Sequence, residues 1–71
     1  MLIETEYDRL IKFTGGHLVS KYNGSYHVVR VIPRRGHPGY YIREFGRKHQ
    51  AQQFMDNIIS SWLSGRKLFR Q

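Results

Sequence analysis

The sequence predicts an α+β domain in two layers. A three-stranded antiparallel β-meander packs against a long C-terminal helix, with a short helix ahead of it, in the order α-β-β-β-α. Three observations carry this expectation. Ala51, Phe54, Met55, Ile58, Ile59, Trp62 and Leu63 repeat at the spacing of one helix face. Asn23-Gly24 divides two runs rich in β-branched and aromatic residues, the strongest short-range hairpin signal. The apolar stripe of the helix also needs a partner, and one face of a sheet is the only large candidate.

In chain order, Thr5 to Thr14 reads best as the first helix. Thr5 and Asp8 resemble a capping pair, acids fill the first turn, and Tyr7, Leu10, Ile11 and Thr14 share a face. The same stretch also alternates through Ile3, Thr5, Tyr7, Arg9, Ile11 and Phe13, which is compatible with a strand. Gly15-Gly16 ends the element under either pattern. Leu18 to Tyr22 and Ser25 to Pro33 follow as strands, the second with Tyr26, Val28, Arg30 and Ile32 on one side and His27, Val29 and Val31 on the other. Residues 33–39 hold two prolines and two glycines and form a loop. Tyr40 to Phe45 is the third strand and runs into the helix with almost no linker. Trp62 continues the apolar stripe into the core, and Gly65 stands where a left-handed cap residue is expected. The domain therefore spans residues 1–65, and residues 66–71 are a basic tail whose Leu68 and Phe69 could pack or fray.

The composition narrows the function. One small core is all that 71 residues allow, and the absence of cysteine removes disulfides and thiolate metal sites. No apolar run approaches the roughly 20 residues of a membrane span, and the acidic N-terminus lacks a signal-peptide pattern. An intracellular, cytoplasmic protein of a bacterium or of a phage or mobile element is the expectation, with an accessory protein that inhibits a host nucleoprotein complex as one alternative function. Twelve Lys and Arg against five Asp and Glu leave a net charge of +7, with the basic residues crowded into 30–48 and the tail. Such a field favours polyanions, nucleic acid first, with an acidic protein surface as the other partner class.

The first turn of the long helix sharpens this. Arg47, Lys48 and His49 sit at the positive end of the helix dipole, where each cation costs roughly 0.3–1 kcal/mol. A bound anion reverses that sign, because free backbone N–H groups, dipole and side chains then all point at it. Arg34, Arg35 and His37 form a second basic cluster in the 33–39 loop, suited to gripping phosphates. His17, His27, His37 and His49 have no close ligand spacing, so no metal is expected, and no cofactor motif is present. Tyr22, Tyr26, Tyr40 and Tyr41 are strand residues that could stack on bases, although half-buried packing explains them as well.

Three family resemblances rest on short motifs. Element order and length resemble the double-stranded-RNA-binding domain, with Gly24-Ser25-Tyr26-His27 in place of its Gly-Pro-x-His and Lys48-His49-Gln50-Ala51 in place of its Lys-Lys-x-Ala. That resemblance implies duplex RNA held by shape and charge. Arg47, Lys48 and His49 would grip phosphates, and the His27 hairpin would reach the minor groove. Gly24-Ser25-Tyr26-His27 also matches the Gly-Ser-x-His of HicA-type toxins, with Gly16 and Lys21 at their spacing. This implies RNA cleavage with His27 as general acid or base, the last helix being longer here and Pro-x-His after the third strand missing. Third, Phe45-Gly46-Arg47-Lys48-His49-Gln50-Ala51 resembles the strand end of the arm-binding N-terminal domain of tyrosine integrases. That implies a sheet face, with Arg30, Arg43 and Tyr40 or Tyr41, in the major groove of DNA. The expected nucleic-acid-binding residues are Arg47, Lys48, His49, His27, Lys21, Arg34 and Arg35, with duplex RNA preferred, DNA the alternative and catalysis confined to the toxin likeness. Oligomeric state is not legible.

Overall fold

A computed structural model describes residues 1–70. The chain forms β1 (Leu2–Glu4), β2 (Leu10–Lys12), β3 (His17–Asn23), β4 (Tyr26–Ile32), β5 (Tyr40–Phe45), α1 (Lys48–Leu63) and β6 (Leu68–Phe69). The expected meander is present as an antiparallel sheet in the order β3-β4-β5. α1 packs across one face of it. Asn23 pairs with Tyr26, and Gly24 has a φ of 71°, as a tight two-residue connection demands. On β4 the alternation is as expected: Val29 and Val31 are buried against Ala51, Phe54 and Ile58 of α1. Their neighbours Val28, Arg30 and Ile32 belong to the opposite face and are half-buried.

The first ten residues depart from expectation. Residues 5–14 form no helix; β1 and β2 make an antiparallel hairpin with Ile3 opposite Ile11. The period-two pattern prevails because it buries more. Ile3 and Phe13 are fully buried and Thr5 is 5% exposed, whereas Tyr7 and Leu10 of the supposed helical stripe stay exposed. Thr5 does not cap a helix. Its backbone N–H donates to the Arg9 carbonyl and its hydroxyl accepts from the Arg9 N–H, closing a turn in which Asp8 is left-handed (φ 59°). The Glu6 N–H donates to the Ile42 carbonyl, so this turn abuts β5.

Two further findings concern the C-terminal end, where the sequence leaves packing of the tail open and places Trp62 in the core. Leu68 and Phe69, placed in a tail outside the 1–65 domain, form β6 in parallel register with β1, Ile3 opposite Phe69. Phe69 is buried and meets the Phe54 ring edge-on at 5.6 Å. The core is therefore shared by both sheets, and of the expected tail only Gln71 lies outside the described residues. Trp62, expected in the core, is 37% exposed. Its ring lies edge-on to Phe13 at 5.3 Å and over Gly15, where a Cβ would stand 2.9 Å from the indole. The indole thus caps the core from outside and needs a residue without a side chain beneath it.

α1 ends as its sequence suggests. Gly65 has a φ of 82°, the Arg66 N–H donates to the Ser61 carbonyl and the Gly65 N–H to the Trp62 carbonyl. This is the Schellman arrangement, which needs a residue at ease in left-handed backbone. Among the described residues no helix is long and apolar enough to cross a membrane.

Candidate nucleic-acid interface

The register of the sheet decides which basic residues meet. His27, at the start of β4, pairs with Phe45, at the end of β5. Gly46 and Arg47 follow Phe45 directly, so the β3–β4 hairpin tip and the start of α1 lie at the same end of the sheet. Arg47, Lys48 and His49 are all exposed there. Arg47 occupies the N-cap position in extended backbone (φ −135°, ψ 145°) with no side-chain cap, and no acid lies in the first turn. The helix start thus presents uncapped N–H groups and cations together, the electrostatic arrangement that an anion completes.

His27 and Lys21 reach this end on different faces. His27 shares the helix-facing side with Val29; its Nδ1 lies 3.2 Å from the Ser20 hydroxyl, and its ring tilts against Tyr22 at 5.3 Å. Lys21 pairs with Val28, which pairs in turn with Glu44, so Lys21 belongs to the open face and shares it with a carboxylate two strands away. Arg34 and Arg35 stand apart. They are exposed in the loop that begins after Ile32, and Ile32 itself is about 17 Å from His27 at the usual rise of roughly 3.3 Å per strand residue. In that loop the Gly39 N–H donates to His37 Nδ1 at 2.9 Å, and the His37 ring lies 4.9 Å from Tyr40.

The open face of the sheet carries a second constellation. Arg30 pairs with Val19 on one side and Tyr41 on the other, so the three form one rung of that face. Arg43, expected beside them, is not. The β4–β5 register shifts between Val29 and Arg30, Arg43 comes opposite the buried Val29, and its guanidinium lies 5.7 Å from the Phe45 ring centroid on the helix side. Tyr41 is fixed from its edge: its hydroxyl donates to the Glu6 carboxylate, and its ring stacks on Tyr7 at 5.6 Å. Burial first, and then the Glu6 carboxylate, push the Tyr41 phenol well above its ordinary range.

A basic grouping that the sequence did not disclose lies near the other end of α1. Arg43, Arg66 and Arg70 line one cleft of about 490 Å³ with Asn57, Ser60 and Ser61. No spacing in the sequence signals it, because the cleft exists only once the segment around β6 docks.

No protein-family model matches the chain, and no curated protein or solved structure matches it either.

Proposed function

We propose that this chain is a small basic module that binds duplex nucleic acid, duplex RNA in the first instance. It grips backbone phosphates with the start of α1 and the adjacent β3–β4 hairpin. The observation that carries the proposal is the pairing of His27 with Phe45, which sets the hairpin beside an uncapped, acid-free helix start bearing Arg47, Lys48 and His49. Phosphate contacts of this kind supply affinity and orientation without reading sequence.

One observation favours a second reading. The duplex-RNA and toxin likenesses both call for a leading helix, and the chain begins with a β-hairpin instead. Three strands and a following helix are what the integrase-arm likeness needs, and Arg30 beside Tyr41 on the sheet face away from α1 suits duplex DNA in that mode.

Mobility shifts with matched duplex RNA, duplex DNA and single-stranded RNA across a salt series test both. Arg47→Ala with Lys48→Ala is expected to leave the unfolding transition in place, since both side chains are exposed. Duplex affinity should drop and the salt slope flatten by about two, one per lost phosphate contact. Undiminished affinity in the double variant would remove the helix start from the interface. Arg30→Ala weakening DNA alone would transfer it to the open face. RNA fragments abolished by His27→Ala would make the protein a nuclease, and no binding to any nucleic acid would leave an acidic protein as partner.

A further inference from the structure

We infer that the cleft between the C-terminal half of α1 and the segment around β6 is an oxyanion site that takes a phosphate group of more than one charge. It stands independently of the helix-start surface, and its chemistry is that of an anion receptor. Arg43 arrives from β5, Arg66 and Arg70 from either side of β6, and hydroxyl and amide donors from Ser60, Ser61 and Asn57. Guanidinium forks match phosphate oxygens two at a time, and neutral donors can fill the remaining lone pairs. Among the described residues no carboxylate lines the cleft; Glu4 meets Arg70 from outside it at 3.9 Å, at the limit of a salt bridge, with the guanidinium largely in water.

Two details remove the usual objection to an anion at a helix C-terminus. The negative end of the dipole acts through unpaired carbonyls. Here the Ser60 carbonyl accepts from the Ser64 N–H, the Ser61 carbonyl from the Arg66 N–H and the Ser64 hydroxyl, and the Trp62 carbonyl from the Gly65 N–H. The wall also includes Phe54 and Phe69, 9% and 8% exposed, so part of the site is apolar and strengthens charge interactions over those in bulk water. Three cations line this cleft, with one long contact from Arg70 to Glu4 between them, so they repel one another and a bound polyanion relieves that repulsion.

Two sources share this chemistry: a free phosphate compound, or the phosphates of a nucleic-acid strand. The second is geometrically open, because Phe54 and Asn57 also line a shallower groove that continues along Gln53 and Gln50 toward the helix start.

Calorimetric titration with inorganic pyrophosphate, at ionic strength matched with chloride, tests the site. Saturable one-to-one binding is expected, with a rise in melting temperature. Arg66→Gln with Arg70→Gln, both exposed, should weaken binding about tenfold or more and leave the pyrophosphate-free transition cooperative. Arg43→Lys, which keeps the charge but loses the fork, should weaken it as well. Arg47→Ala with Lys48→Ala should leave it unchanged, which separates this site from the helix start. Absence of saturable binding, or equal affinity in the Arg66/Arg70 variant, would overturn the assignment. If that variant also loses nucleic-acid affinity, the source is backbone phosphate; if only pyrophosphate binding falls, it is a free phosphate compound.

Discussion

Replacing Phe69 with alanine tests the feature of the fold least visible in the sequence. The ring is 8% exposed, belongs to the same buried cluster as Ile3, Ile42 and Ile58, and meets Phe54 edge-on. Removing a buried phenylalanine costs about 3–5 kcal/mol, of which the aromatic pair accounts for about 0.5–1.5. A chain of 71 residues has a total stability of about 4–10 kcal/mol at the usual stability per residue. Phe69→Ala therefore removes a third of it or more. Truncation after Gly65 goes further, deleting both β6 residues and the Lys67 carbonyl that accepts from the Leu2 N–H at 2.9 Å. Urea unfolding followed by the fluorescence of Trp62, the single tryptophan, reads both variants. With a slope of about 1 kcal/mol per molar urea for so small a domain, the Phe69→Ala midpoint should fall by about 3–5 M, and the truncated chain should show no cooperative transition. A truncated chain that unfolds cooperatively at the full-length midpoint would show that the domain ends at 65 and that β6 adds nothing to its core.

Two other outcomes follow from particular residues. The Tyr41 phenol is raised in the folded state, so its contribution to stability is present below the ordinary tyrosine value near 10 and is lost as pH rises above it. Stability of the wild type should fall more steeply above about pH 10 than that of Tyr41→Phe, by at most about 1.4 kcal/mol per pH unit; parallel alkaline limbs would show that the Glu6 contact is not formed. Asp8, at φ 59°, should tolerate glycine within about 1 kcal/mol, whereas Asp8→Val should cost about 1–2 kcal/mol more, compared by thermal melting; equal melting points for the two would mean the turn is not left-handed at that position.

What the sequence made legible is what local chemistry decides. The Asn23-Gly24 hairpin, the alternation of β4 and the existence of α1 each carry their own signal within a dozen residues and stand where expected, although of the α1 stripe Ala51, Phe54 and Ile58 are buried while Ile59, Trp62 and Leu63 are exposed. Residues 3–14 carry two signals at once, and the choice between them is made elsewhere: Ile3 and Phe13 find a core only because α1, β5 and β6 wall it. Leu68–Phe69 is too short to announce a strand, and its partner lies at the far end of the chain. The same division runs through the basic residues. Arg47, Lys48 and His49 could be set beside the hairpin because β5 leads straight into α1. Arg34 and Arg35 were grouped with them by charge alone, and the register puts them at the other end of the strands. Arg43 moved from the open face to the helix side through a one-residue irregularity opposite β4, a feature that alternation cannot foresee.

The pairing of Ile3 with Phe69 also governs the order of events during folding. Closing that contact requires residues 3–69 to be in place, and loop closure over such a separation is the slow kind of step. The β3–β5 meander and α1 can assemble from near neighbours first, leaving Ile3, Phe13 and Phe54 without their last wall. An emerging chain therefore carries an uncovered apolar strip until β6 arrives, so chaperone dependence and aggregation in this protein should track how promptly Phe69 docks.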